Sequence, residues 1–334
     1  MSDPIDVPNI TYREALNQAL HQEMDRDPDV FIMGEDIGEF GGVYAVTRGL
    51  HEKFGADRVL DTPISEGAFM GVAVGAAMTG KRPIVEIMYM DFLPVCADQI
   101  INQAAKMRSM SGGQVTVPMV IRTQTGGWRG SGAQHTQSLE SLFAHIPGLK
   151  VVLPSTPGDA KGLLMTAIRD DNPVLFMEHR MLYSTKGEVP DDVEPIPFGQ
   201  AIVRREGAHV TVLATSMSVH NSLKAAEELA AEGIELEVID LRTIVPLDLP
   251  TVLESVRKTH RAVVVHQAHK SFGPGAEIAS RVYEAAFNVL DAPVVRVAAE
   301  DIAIPANPAL EQHVLPSPPA IVAACRALAG RIRG

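Results

Sequence analysis

What most constrains this chain is the way short apolar runs, rich in Val, Ile and Leu, alternate with longer segments of helical period. A run without polar alternation belongs to a strand buried on both faces, and such strands form parallel sheets covered by helices on each side. A helix over 11–26 is followed by the strand Val30-Phe31-Ile32-Met33, and Val59-Leu60 leads into a glycine-rich helix starting near Glu66. Next come a strand over 83–88, a helix over roughly 94–110, a strand over 117–121, a long loop, a short helix from Ser138 and a strand over 151–153. A helix over 157–169 and a strand over 173–176 complete one doubly wound α/β unit, 1–185. Residues 186–198 concentrate proline and acid with little apolar period, which marks a linker. Beyond it, strands over 210–214, 236–239, 262–265 and 294–297 alternate with helices over 219–232, 248–258 and 275–288, predicting a second α/β domain, 199–334.

Charge narrows the partners. With 29 Lys and Arg against 41 Asp and Glu the net charge is −12, so a phosphate backbone would be repelled over most of the surface, and nucleic acid is not expected. Cys96 and Cys325 lie far apart, which argues against a disulfide framework or a Cys-rich metal site and fits a reducing, cytoplasmic setting. The first fifteen residues carry Asp3, Asp6, Arg13 and Glu14 and lack an apolar core, so no signal peptide is expected. The longest uncharged helical stretch, Gly67 to Gly80, is too short to span a bilayer.

The chain contains no G-x-x-x-x-G-K-[ST] loop, no G-x-G-x-x-G after a strand, no H-E-x-x-H and no G-x-S-x-G. Nucleotide-triphosphate enzymes, Rossmann dehydrogenases, zinc proteases and α/β-hydrolases therefore lose their main signatures. Glu66 stands where a strand turns into a helix whose glycines at 67, 71 and 75 share one face. Three glycines cost helix stability and imply close backbone packing, against another subunit or a tight neighbour. The carboxylate either satisfies the helix dipole or lies beside a dry interface where it can do chemistry, and local sequence leaves both open. Residues 123–134 form a loop with four glycines that ends at His135, and long loops inside compact domains are commonly functional. A helix starting near Ser138 would place its positive end close to His135 and disfavour the imidazolium. His266 and His269 have no third ligand in view and read as core or surface histidines.

The segment Asp61-Thr62-Pro63-Ile64-Ser65-Glu66-Gly67 resembles the β subunits of the thiamine-diphosphate-dependent 2-oxo acid dehydrogenases, the decarboxylating components of pyruvate, branched-chain oxo acid and acetoin complexes. The resemblance runs on through Arg82 to Met88, Asp98 to Lys106, Ala133-Gln134-His135-Thr136-Gln137-Ser138, Pro147 to Ser155, Ile168 to Pro173 and Asp240 to Pro246, nearly the whole chain. It implies a pyrimidine-binding N-terminal domain, a transketolase-like C-terminal assembly domain, and oxidative decarboxylation of a 2-oxo acid with acyl transfer to lipoyl. On this resemblance Glu66 faces N1′ of the cofactor's aminopyrimidine, Phe92 packs on that ring, Ile64 forms a wall beside it, and His135 lies by the thiazolium to position substrate. Ala167, Asp170 and Asn172 match positions that lend oxygens to a structural potassium ion.

The anchor for the diphosphate is missing. The nearest approach to the superfamily's Gly-Asp-Gly motif is Gly158-Asp159-Ala160, without the second glycine or a suitably spaced Asn. The resemblance supplies it from a separate α subunit, which would hold Mg2+ and the diphosphate in an α2β2 heterotetramer docked on a dihydrolipoyl acyltransferase core. Gln134 before the motif His is closer to pyruvate-type members, whereas the run Gln137 to Glu140 is similar to acetoin-type members. A split transketolase and a non-catalytic assembly subunit are the rival readings. Trp128 departs from the small or proline residues expected at its position.

Overall fold

The computed structural model describes residues 7–127, 129–190 and 192–330, so Trp128 lies outside the described residues. Two compact units emerge: residues up to Gln124 together with Ile146–Phe198, and Thr125–His145 together with the chain from Gly199 onward. The long loop after residue 124 thus folds with the second unit.

The first unit is built from β1 (Asn9–Thr11), α1 (Tyr12–Arg26), β2 (Val30–Gly34), α2 (Leu50–Phe54), β3 (Val59–Asp61), α3 (Glu66–Met78), β4 (Arg82–Ile87), α4 (Met107–Met110) and β5 (Val120–Thr125). After α5 (Glu140–Ala144), it resumes with β6 (Lys150–Val152), α6 (Pro157–Arg169), β7 (Val174–His179) and β8 (Lys186–Glu188). Helix α1 starts where the sequence says it should. Thr11 accepts from the Glu14 N–H at 3.3 Å while the Glu14 carboxylate takes the Thr11 N–H at 2.7 Å, a reciprocal capping box. Helix α6 opens on Thr156 followed by Pro157, whose missing N–H costs nothing at a first helical position. The sheet runs β6-β7-β5-β4-β2-β3, and β3, β2, β4 and β5 pair in parallel. Across β4, β5 and β7, fully buried Arg122 spans Glu86 and Glu178.

The second unit contains β9 (Ile202–Arg205), β10 (Val210–Ala214), α7 (Met217–Ala230), β11 (Leu236–Asp240), β12 (Thr243–Val245), α8 (Leu249–Thr259), β13 (Ala262–His269), α9 (Pro274–Ala286), β14 (Val295–Ala299), α10 (Pro308–Val314) and α11 (Pro318–Ala329). Its sheet runs β14-β13-β10-β11-β9, parallel except for β9 on the edge. Successive strand residues serve opposite cores. Val212, Val238, Val263 and Val265 pack with Leu229 of α7 and Cys325 of α11, whereas Leu213, Ile239, Ala262 and Val264 pack with Val256 of α8 and Val282 of α9. Helices on both faces explain why these strands read as unbroken apolar runs.

Three local expectations change. The helix over 94–110 is instead a 3-10 turn, Met90–Cys96, a π turn, Gln99–Ala104, and the short α4, because Pro94 lies in the first of them and cannot donate the N–H a continuous helix needs. The first residues of 186–198 form β8, antiparallel to β1. Helices α10 and α11 were not foreseen, although Asn307-Pro308 and Ser317-Pro318 are a cap residue followed by an N1 proline at each start.

Candidate active site

Ligands of open α/β sheets gather at the carboxyl ends of parallel strands. Strands β3, β2 and β4 are neighbours in register, with Gly34 opposite both Asp61 and Glu86, so the segments that follow them emerge on one edge. Glu35 follows β2, Ile64 and Glu66 follow β3, and Phe92 follows β4.

Glu66 is the first residue of α3 and only 8% exposed. Among the described residues its carboxylate has neither a hydrogen-bond donor nor a cation beside it. A carboxylate on a largely buried residue that no side chain or backbone donor occupies is open to accept from a bound group. Its field is felt nearby. Burial, then the Glu66 charge, then Asp36, raise the Glu35 carboxyl above the ordinary range. Burial first and the Glu66 charge second push the Cys96 thiol up to about 12. Glu35 carries no motif and was not singled out from sequence. The available signal was an acidic pair, Glu35-Asp36, directly after a strand end.

The 3-10 turn bearing Phe92 packs against the start of α3: a Cβ on Gly67 would stand 3.5 Å from the Val95 carbonyl oxygen. Phe92 is half-buried and Ile64, two residues before Glu66, is 83% exposed. An apolar wall, an aromatic ring and an unpartnered carboxylate acceptor on one strand edge suit a flat ligand that presents a hydrogen-bond donor at its edge. Cys96 itself is out of the chemistry. Burial also raises Cys325 to about 12, so both thiols should resist alkylation by iodoacetamide at pH 8 in the native protein and react after denaturation, as read by mass spectrometry.

His135 lies half-buried in the second unit, its N–H directed to the Gly132 carbonyl at 3.4 Å. The base of its loop is closed by Gly126 N–H and the Thr125 hydroxyl, both donating to the Gln137 carbonyl at 3.3 and 3.2 Å. The helix expected from Ser138 begins only at Glu140 and is five residues long, so His135 stands well before its first turn. Glu140 is fully buried, with Oε2 lacking a hydrogen-bond partner, and burial pushes its carboxyl up to about 7. Such a group favours the folded state below the unfolded carboxylate range, and that contribution is lost as pH rises toward 7, on the order of 3 kcal/mol in total. Glu140→Gln should therefore melt increasingly above the parent protein as pH goes from 5 to 8. A melting-temperature gap that stays flat over that interval would contradict the assignment.

Ala167, Asp170 and Asn172 meet in the turn after α6. The Asp170 N–H donates to the Ala167 carbonyl, and Asn172 donates its N–H and side-chain amide to the Asp170 carboxylate at 2.8 and 2.9 Å. Burial raises the Asp170 carboxyl, but the hydrogen bonds from Lys150 and Asn172 outweigh it and leave the group below its usual range. Arg108 takes the Asn172 side-chain oxygen at 2.7 Å, and Arg82 donates to the Asp170 carbonyl at 2.8 Å. Arg82, Arg108 and Lys150 thus already engage oxygens of Asp170 and Asn172 in this turn.

Other candidates fall away. Asp159 accepts from the Thr156 hydroxyl at 2.6 Å as part of a helix cap. His266 is buried with both ring nitrogens unpartnered, and burial lowers it to about 4, while His269 Nδ1 lies 2.7 Å from the Glu300 carbonyl. Among the described residues no cluster of three or more His, Cys, Asp or Glu side chains is arranged to hold a metal, and no helix is long and apolar enough to cross a membrane.

Residues 8–186 match the pyrimidine-binding domain of transketolase, and residues 199–321 match the transketolase C-terminal domain. The chain is 49% identical over 327 residues to the acetoin:2,6-dichlorophenolindophenol oxidoreductase β subunit of Cupriavidus necator, covering 95% of this chain and 96% of that protein. It is equally 49% identical over 317 residues to the pyruvate dehydrogenase E1 component β subunit of Rickettsia felis, covering 95% and 97%. Among solved structures, an inactive β4 tetramer of a split-gene transketolase superposes with a TM-score of 0.81 over 97% of this chain and 99% of that one, at 22% identity, a likeness of fold.

Proposed function

Because this chain belongs to the family of transketolase-like β subunits of 2-oxo acid dehydrogenases, we propose that it is the pyrimidine-binding half of a thiamine-diphosphate enzyme that oxidatively decarboxylates pyruvate. Bound thiamine diphosphate supplies the electron sink for decarboxylation. The observation that carries the reading is the buried Glu66 carboxylate, lacking any donor among the described residues at the carboxyl edge of a parallel sheet.

In this reading Glu66 would hold the aminopyrimidine by a hydrogen bond at ring nitrogen N1′ and would supply the carboxylate for acid–base chemistry at that ring. Ile64 and Phe92 hold the ring and exclude water from it. Burial first and the Glu66 charge second keep Glu35 above its ordinary range, so Glu35 is a nearby carboxyl able to hold a proton at a higher pH than an exposed one. His135 hydrogen-bonds a substrate oxygen and assists acyl transfer to lipoyl. Ala167, Asp170 and Asn172 would be the residues to lend oxygens to a structural potassium ion.

The diphosphate and Mg2+ fall to an α subunit, since Asp159 is spent on capping α6. Support for a partner comes from the outer face of α3, where Val72 is exposed and a Cβ on Gly75 would meet nothing within 4 Å; Val95, whose carbonyl lies by Gly67 at the helix start, is exposed as well. The heterotetramer, its docking on a dihydrolipoyl acyltransferase core and its cytoplasmic setting belong to the same proposal. Calorimetry of the isolated chain with thiamine diphosphate and Mg2+ should detect no tight binding. Submicromolar affinity there would overturn the half-site arrangement.

A second reading, acetoin as substrate, is favoured by the equal identity to an acetoin oxidoreductase β subunit. Reconstitution with the native α partner, followed by reduction of dichlorophenolindophenol with pyruvate, acetoin and branched-chain oxo acids in turn, separates the two. Failure of pyruvate to outpace the others would displace the first reading.

A further inference from the structure

We propose that Glu311 and Gln267 are positioning residues that clamp the loop carrying His135, and so set where that imidazole stands. The proposal rests on the reading that His135 acts in the reaction. Glu311, on α10, is 4% exposed, and its Oε2 accepts the Gly130 N–H at 2.8 Å. Gln267, in β13, presents its side-chain oxygen to the Gly127 N–H at 3.2 Å. A buried carboxylate committed to a loop amide is a charge-assisted hydrogen bond, about twice as strong as a neutral one.

The loop's glycines make the clamp possible. A Cβ at Gly127 would stand 2.2 Å from Leu315 Cδ1, and one at Gly130 would stand 2.3 Å from the Ala306 carbonyl oxygen. Gly130 and Gly132 also adopt φ of +76° and +80°, which side-chain-bearing residues rarely accept. The backbone therefore lies directly on α10 and the segment before it. From Gly130 the chain reaches His135 through a turn closed by the Thr136 hydroxyl, which donates to the Gly132 carbonyl at 2.7 Å. The path from Glu311 to His135 is short, and its two ends, the clamp at Gly130 and the closure at Gln137, are both held. Removing the clamp frees the segment between them.

The test uses the reconstituted α–β enzyme. Glu311→Ala should lower kcat by about 10- to 100-fold, with a smaller change in the KM for pyruvate, because misplacing a catalytic group weakens the transition state more than substrate binding. Glu311→Gln retains an acceptor oxygen and should stay within about threefold of the parent enzyme. In hydrogen exchange, Glu311→Ala should speed exchange in peptides spanning 126–138 while leaving those of β10 and β13 unchanged. In a His135→Ala background, Glu311→Ala should add less than about threefold, since both changes act through one group. Unchanged exchange in 126–138, or a full additional loss in the His135→Ala enzyme, would overturn the proposal. If His135→Ala alone retains activity, the catalytic reading of His135 fails, and the exchange result still decides whether Glu311 clamps the loop.

Discussion

Glu66→Gln should cut the turnover of the reconstituted enzyme by about a hundredfold or more, with melting temperature and assembly unchanged. The size follows from what is removed: a fixed carboxylate acting as proton acceptor is worth two to four orders of magnitude, and an amide of the same shape cannot accept a proton at neutral pH. The silence of the fold follows from the packing. Among the described residues Glu66 has no hydrogen bond or ion pair to lose, and the amide fits the same space. Loss of the negative charge should also let the Glu35 carboxyl drop toward its ordinary range, because Glu66 is one of the causes that raise it. Retention of more than a few per cent of activity would take Glu66 out of the mechanism and favour a non-catalytic assembly subunit.

Arg122→Met should be the most destabilising single change in the first unit, by about 3–5 kcal/mol, or roughly 6–20 °C in melting temperature. Arg122 is fully buried and gives Nε and Nη2 to the two oxygens of Glu178 at 2.7 and 2.8 Å, and Nη1 to Glu86 at 2.7 Å. The Tyr183 hydroxyl and the Gln124 amide complete the group, donating to Glu178 at 2.6 Å and to Glu86 at 3.2 Å. Met keeps the volume and leaves two buried carboxylates without their cation. Burial already raises the Glu178 carboxyl in spite of Arg122, and without the arginine that rise grows. A folded-state value above the unfolded one means stability lost as pH climbs, so the variant should melt progressively lower from pH 5 to pH 8. Adding Glu86→Gln and Glu178→Gln should restore part of the loss and remove the pH dependence. A shift under about 2 °C for Arg122→Met would show that the triad is not a coupled unit.

The fold was largely legible because parallel strands covered by helices on both faces write themselves as unbroken apolar runs, and α1 and α6 announce their starts through Thr11 with Glu14 and Thr156 with Pro157. What failed was local. Pro94 was allowed inside a helix that it interrupts, and the short α5 starts beyond Ser138. The C-terminal helices α10 and α11 were passed over despite their cap-proline starts.

The candidate site divides along the same line. Glu66, Ile64, Phe92 and His135 could be named because each sits in a run of residues whose order is itself the signal. Glu35, Arg122 and Glu311 could not, because their roles arise from partners 31, 36 to 56 and 181 positions away, the first inferred from Glu66, the others from hydrogen bonds. By itself the sequence determined the strand and helix pattern, the acidic net charge and the motif that holds Glu66 at a strand-to-helix turn. Only the tertiary structure decided that this carboxylate is buried without a donor among the described residues and that a buried glutamate grips the glycine loop. Burial and pairing are properties of residues brought together across the fold, and linear spacing does not encode the dielectric or the neighbours they meet there.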